Sequence, residues 1–183
     1  MNYQTKPTDE DLAVYDPDFA HPQAVELMPE PYFWNPDDDF SPLGSDEGFE
    51  AYAKFYEWRM KNRLEPILPY LQGIVSRNEE FYTEDMCSDA EIALMIENSE
   101  DEEMYELDRA IIAVCFTQII EEGALDKTAF PLLQRVIFRQ AKYGATMHGV
   151  ISKEHAEEYV ECMLLLARVV SQLKTIDIPF ITE

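Results

Sequence analysis

The amino-acid sequence predicts an all-α protein, a single-domain bundle of about six helices with an irregular, proline-rich N-terminal arm packed on it. Three features point to this class. Apolar residues recur at spacings of three and four along most of the chain beyond residue 45. Two capping boxes, Ser88 with Glu91 and Ser99 with Glu102, mark helix starts, because the cap hydroxyl and the later glutamate each satisfy an amide the helix leaves free. Glycine is scarce, at six of 183 residues, whereas dinucleotide-binding folds and β-sandwiches rely on glycine for their turns.

The arm covers residues 1–44. It holds seven of the eleven prolines: Pro7, Pro17, Pro22, Pro29, Pro31, Pro36 and Pro42. Proline fixes φ and removes an amide donor, so long helices are excluded there, and one short turn around Gln23–Leu27 is the most that fits. Tyr32, Phe33, Trp34 and Phe40 also fall in this stretch. Side chains of that size leave water, so the arm is expected to lie across the body. The remainder divides into a helical domain over 45–175 and an extended tail over 176–183, docked through Ile176, Ile178 and Phe180.

The first body helix spans 46–62, with Phe49, Tyr52, Ala53, Tyr56 and Met60 as its apolar stripe. Glu50–Lys54 and Glu57–Lys61 support the opposite face as i,i+4 pairs. A shorter helix over 65–76 tolerates Pro66 in its first turn. Ser88 opens a helix ending near Asn98, and Ser99 opens a longer one that runs to Glu122 and stops at Gly123. Residues Ala110 to Phe116 of the longer helix are apolar on every face, which marks the buried centre of the bundle. Thr128 caps the next helix, with Gly144 just past its end. Ser152 starts the last, to about Lys174, with Ala156, Tyr159, Val160, Met163, Leu164, Ala167, Val170 and Leu173 facing inward.

Charge narrows the function. There are 37 acidic against 14 basic residues, a formal net charge of −23. Such a surface repels phosphate and excludes direct nucleic-acid binding, while it attracts a basic partner. The N-terminus lacks a signal-peptide core, and no run approaches the roughly 20 apolar residues that a bilayer requires, so no membrane role is expected and the cytoplasm is the expected compartment. Cys87, Cys115 and Cys162 are odd in number and widely spaced, and Cys115 and Cys162 read as small core residues rather than disulfide partners.

Catalytic and metal-binding patterns are missing from the sequence. A di-iron Glu-x-x-His pair is absent, since Glu154 sits beside His155 and Ala145 stands three residues before His148. His155 and Glu158 share a helical face, but two ligands do not make a site. The aspartates from Asp37 onward fail as an EF-hand, because its sixth and twelfth positions fall on Pro42 and Gly48. There is no G-x-S-x-G, Walker loop or G-x-G-x-x-G. No catalytic residue, cofactor or metal is assigned, and no enzymatic activity is expected.

The acidic residues are what remain. Residues 1–50 carry thirteen acids and one base, Lys6. Two patches are candidates for partner binding. One is Asp37, Asp38, Asp39, Asp46 and Glu47; the other is Glu97, Glu100, Asp101, Glu102, Glu103 and Glu106. The second is preferred, because a helix start after a short loop presents charges in fixed geometry. A third run, Glu154, Glu157, Glu158 and Glu161, lies on the last helix. By contrast, residues 127–153 hold no acid and five bases, of which Arg135, Arg139 and Lys142 share a face and are read as pairing internally with an acidic cluster.

The function expected is that of an acidic protein-binding module, an immunity-type inhibitor of a basic, nuclease-like toxin. A nuclease must present a basic cleft, and a negative partner is steered onto it. The alternative is a bacterial helical regulatory or housekeeping domain without catalytic activity, whose acidity only keeps it in solution.

One segment resembles a known family. Residues 21–59, HPQAVELMPEPYFWNPDDDFSPLGSDEGFEAYAKFYEWR, are similar to a stretch of the uncharacterised enterobacterial YfeS-like proteins. The matching residues are Phe33, Trp34, Ser41, Pro42, Gly44, Ser45, Asp46 and Gly48, and Leu43 stands where that family has an aromatic. The resemblance implies a bacterial origin and brings no activity with it. From the residues themselves, Gly44 and Gly48 bracket a tight turn into the first body helix.

Overall fold

The computed structural model describes residues 11–146 and 152–177. It is 69% helical and essentially all-α. Its helices are α1 (Pro22–Leu27), α2 (Asp46–Lys61), α3 (Leu68–Val75), α4 (Asp89–Asn98), α5 (Asp101–Glu122), α6 (Phe130–Thr146) and α7 (Lys153–Gln172). Single-turn 3-10 segments lie at Asp11–Tyr15, Pro31–Trp34 and Glu79–Tyr82. Two short strands, β1 (Leu125–Asp126) and β2 (Thr175–Ile176), pair in parallel and tie the end of the chain to the start of α6. None of the described helices is long and apolar enough to cross a membrane.

The bundle is organised around α5, whose residues 111–120 are buried on all sides. α2 and α6 pack against it, and α7 packs against α6. An all-apolar helix can be stable only when neighbours cover its whole circumference. Here the arm provides part of that cover. Phe33 is 1% exposed and stacks on Phe116 of α5 with ring centroids 6.4 Å apart. The His21 amide donates to Ile120 O at 2.8 Å, satisfying a carbonyl in the last turn of α5. Trp34 and Phe40 are half-buried: the Trp34 indole donates to Met28 O at 2.9 Å, and Phe40 meets Tyr159 edge-on at 5.0 Å. Between these contacts, Arg168 of α7 forms an ion pair with Glu30 of the arm. The described part of the arm, residues 11–44, therefore packs on the core, as its aromatics predict, and residues 1–10 lie outside the described residues.

Ser88 and Ser152 cap α4 and α7 as expected, accepting from the amides of Glu91 at 3.1 Å and His155 at 3.2 Å. Ser99 does not cap α5. It stands at φ 61° and closes α4, with its own amide on Ile96 O and the next amide, of Glu100, on Met95 O. An N-cap needs an extended φ,ψ, so one residue cannot take the left-handed conformation and cap the next helix as well. α5 consequently starts at Asp101 without a side-chain cap.

Four further expectations change for reasons of packing. The buried face of α2 is Gly48, Ala51, Tyr52 and Phe55, while Tyr56 and Met60 are 40% and 50% exposed. Both stripes satisfy a spacing of three and four. The one chosen has small residues that admit α5 closely, and it carries Arg59 onto Glu122 with bonds of 2.6 and 2.9 Å. Thr128 does not cap α6; its amide and hydroxyl both donate to Asp126 Oδ1 at 2.9 Å. Gly144 lies inside α6, not beyond it, because a Cβ there would sit 2.5 Å from Tyr159 Cδ1 at the crossing with α7. On α7, Cys162, Leu166 and Val169 are buried where Leu164 and Ala167 were expected. Ile176 is in β2, whereas Ile178, Phe180 and His148 lie outside the described residues.

Candidate functional site

α2 and α5 run side by side in the same direction. Arg59 and Glu122 meet near their C-terminal ends, and Glu47 and Glu106 interact near their N-terminal ends. This brings together residues from both sequence patches. Partial burial, Glu47, Glu102 and Glu103 all push the Glu106 carboxyl above the usual carboxylate range. Beside it, burial raises the Tyr105 hydroxyl, Arg109 opposes that shift, and Glu47 and Asp39 add to it. Glu47 is thus shared between two neighbourhoods, with Asp39 beside Tyr105 and with Glu102 and Glu103 beside Glu106, and together they make one acidic surface. Four of these carboxylates are exposed and Glu47 is half-buried.

The other predicted residues do not share this arrangement. Asp101 is half-buried and accepts from the Tyr143 hydroxyl at 2.8 Å, so it is engaged inside the fold. Asp38 accepts from the Phe40 amide at 2.9 Å and shapes the arm's turn. Glu100 accepts from Asn98 at 3.4 Å. Asp37, Asp46 and Glu97 are exposed. Among the described residues, none of the eleven predicted carboxylates forms an ion pair.

What fixes the arm's share of the surface is Arg109, which sequence reasoning passed over. It is completely buried, and its guanidinium donates to the carbonyls of Asp39 at 3.1 Å, Phe40 at 3.3 Å and Ser41. Three consecutive carbonyls on one planar fork pin the loop to α5 and set Asp39 close to Glu47 and Tyr105. Gly44 makes the loop possible, since a Cβ there would lie 2.0 Å from Asp38 O. Ser45 then caps α2 by accepting from the Gly48 amide at 3.1 Å. A signal for Arg109 was available in the sequence. A charge next to the run AIIAVCF in a buried helix must be bonded internally or the helix cannot be buried.

Two members of the basic stripe of α6, Arg139 and Lys142, are paired internally, though not by the acidic clusters, whereas the Nε of Arg135 is buried without a hydrogen-bond partner among the described residues. Arg139 and Asp108 are both fully buried, with bonds of 2.9 and 2.6 Å between them. Gln140 and Tyr82 add bonds to Asp108 at 2.7 and 3.1 Å, and Tyr159 donates to Gln140 at 2.6 Å. Arg139 also donates to Phe81 O. Lys142 bonds to Asp89 at 2.5 Å and to Cys87 O at 2.9 Å. Each charge in this network has a partner, and its chemistry is that of a structural junction.

Among the described residues, no three of His, Cys, Asp and Glu are grouped as a metal ion would need. His155 lies against the Phe40 ring at 4.7 Å and 3.8 Å from Glu158, and His21 Nδ1 accepts from the Gln23 amide at 3.1 Å. The three cysteines are free, and burial pushes the Cys162 thiol up to about 11, away from nucleophilic use at neutral pH. No family model, no curated protein and no solved structure matches this chain.

Proposed function

We propose that the protein is an acidic protein-binding module that docks a basic protein on the shared N-terminal end of α2 and α5. The partner we infer is a nuclease-like toxin, held in the manner of an immunity protein. One observation carries this reading: Asp39 and Glu47 lie near Tyr105, Glu47, Glu102 and Glu103 lie near Glu106, and among the described residues none of these carboxylates has an ion pair. Like charges held together raise the energy of the free protein, and a cationic partner relieves it. Two side-by-side helices and a pinned loop hold the charges in fixed positions, which favours rapid, steered association. The half-buried Tyr105 ring supplies an aromatic centre of the kind that anchors interfaces.

The test is capture from the native cell at low salt, followed by association kinetics with the purified partner. A basic protein should be captured, and its association rate should fall steeply as salt rises. The triple variant Glu102→Lys, Glu103→Lys, Glu106→Lys should lose most of that rate while keeping the wild-type circular dichroism. Asp101 is left unchanged because it holds Tyr143. If the wild type captures no basic protein, or the variant associates as fast, the acidity serves only to keep the protein in solution.

A further inference from the structure

A cleft of about 670 Å³ opens where the arm meets α2 and α5. The arm lines it with Ala13, Val14 and Phe19, α2 with Tyr56 and Glu57, and α5 with Glu121. Tyr56 and Glu121 also line a second cleft of about 470 Å³, together with Met60, so the two adjoin. Phe19, Tyr56 and Met60 are 75%, 40% and 50% exposed, and Tyr56 and Met60 are the apolar residues of α2 that α5 leaves uncovered.

The carboxylates of this cleft are unmatched. Among the described residues, neither Glu57 nor Glu121 forms an ion pair. The two nearby cations are engaged elsewhere: Arg59 bonds to Glu122 at 2.6 Å, and the Arg63 guanidinium lies on Met60 Sδ at 3.5 Å. Partial burial and the adjacent Glu122 push the Glu121 carboxyl above the usual carboxylate range, so a cation beside it is favoured. We propose that the cleft seats residues 1–10 of this same chain, with Lys6 against Glu57 and Glu121 and the Tyr3 ring against Tyr56 and Met60.

Connectivity and charge select that occupant. The described chain begins at Asp11, in the 3-10 turn whose Ala13 and Val14 line the cleft, so residues 1–10 leave from its rim. Lys6 is the one lysine or arginine among residues 1–50, and it lies five residues from Asp11. Fully extended, the chain reaches about 17 Å from Asp11 to Lys6 and about 27 Å to Tyr3. Along α2, Ala53 to Met60 covers about 10 Å, so both side chains have the reach. A segment tethered this closely meets its cleft at an effective concentration of about millimolar, which makes even a modest contact populated. A second copy of the chain, at net charge −23, is repelled instead.

Carbodiimide cross-linking of the whole wild-type chain tests this, because the reagent joins an amine directly to a carboxylate in contact with it. Peptide mass spectrometry should find Lys6 joined to Glu57 or Glu121 and not to Glu102 or Glu103 at the other end of α5. In a mixture of isotope-labelled and unlabelled protein, the link should form within one chain. Lys6→Glu should abolish it, and adding Glu121→Lys should restore a link between positions 6 and 121; Glu121 is exposed, so the fold tolerates the change. Independently of charge, Tyr3→Ala should raise the rate of Met60 oxidation by peroxide severalfold, since the ring shields the thioether. Absence of a Lys6 link to either glutamate, a charge swap that restores none, or unchanged Met60 oxidation in Tyr3→Ala would each overturn the proposal. A link found only between different chains would overturn it too and assign the cleft to a second copy.

Discussion

Glu106 and Asp108 stand two residues apart on α5, and their surroundings are opposite. Asp108 is fully buried and accepts hydrogen bonds from Arg139, Gln140 and Tyr82. Glu106 is exposed, faces Glu47, Glu102 and Glu103, and has no ion pair among the described residues. Two positions along a helix differ by about 200° around its axis, so one carboxylate turns to the core and the other to solvent. The first is held by its partners and stabilises the fold. The second is crowded by carboxylates of its own sign, which weakens the fold. Acidic residues that look alike in sequence therefore divide into charges bonded inside the fold and charges without an ion pair among the described residues.

The contrast can be broken most forcefully at its buried half. Arg139→Met leaves Asp108 without its countercharge in the core, and urea unfolding should show a loss of about 4 kcal/mol. The double variant Asp108→Leu, Arg139→Met should recover most of that loss, because the penalty belongs to the stranded charge rather than to the missing pair. A single variant that loses less than about 1 kcal/mol would mean that water reaches Asp108.

Next come the contacts that hold the arm to α5. Phe33→Ala should cost about 3 kcal/mol, as a fully buried ring is lost from its place on Phe116. Trp34→Ala should cost less, since that side chain is only half-buried. Arg109→Met strands the carbonyls of Asp39 and Ser41, while Phe40 O keeps the Tyr32 hydroxyl, and should cost about 2 kcal/mol, while also loosening Asp39 from the acidic surface. Hydrogen exchange at residues 38–44 should accelerate in that variant more than exchange elsewhere in the arm.

The smallest effect has the opposite sign. The fold raises the affinity of Glu106 for its proton, so the ionised form is the unfavourable one. Its cost is present at neutral pH and disappears as pH falls through the raised value. Glu106→Gln should therefore stabilise the protein by a few tenths of a kcal/mol at pH 7, a small figure because the site is solvated. The gain should shrink with salt and vanish below about pH 4, as melting temperatures across a pH series would show. A variant that destabilises at pH 7 would mean that Glu106 has a partner within the fold.

Much of the fold was legible in the sequence, and the failures have common causes. The capping signal at Ser88 was reliable because nothing else claims that residue. The same signal failed at Ser99 because two helices meet there and the closing of α4 takes the residue first. The stripe of α2 was read one position out of phase because Tyr56 and Met60 are as apolar as Phe55, and only the approach of α5 distinguishes them. Gly144 reads as a helix end in sequence, but Tyr159, fifteen residues on, is the reason that no side chain fits there. For the candidate site, the acidic stretches were visible from composition. Their meeting was not, because Asp39, Glu47 and Glu106 come from three separate segments, and Arg109, which positions the first of them, lies in the core.

The sequence by itself determined the helical class, the identity of the central helix, the packing of the arm's aromatics on the body and the acidity of the chain. These follow from local propensity, from periodicity and from the aversion of large apolar side chains to water, and none depends on a distant neighbour. Tertiary structure alone decided which face of α2 is buried, which carboxylates are neutralised and which are left to repel one another. Those outcomes depend on which helices run side by side, and contacts between residues some sixty positions apart, such as Arg59 with Glu122, settle that.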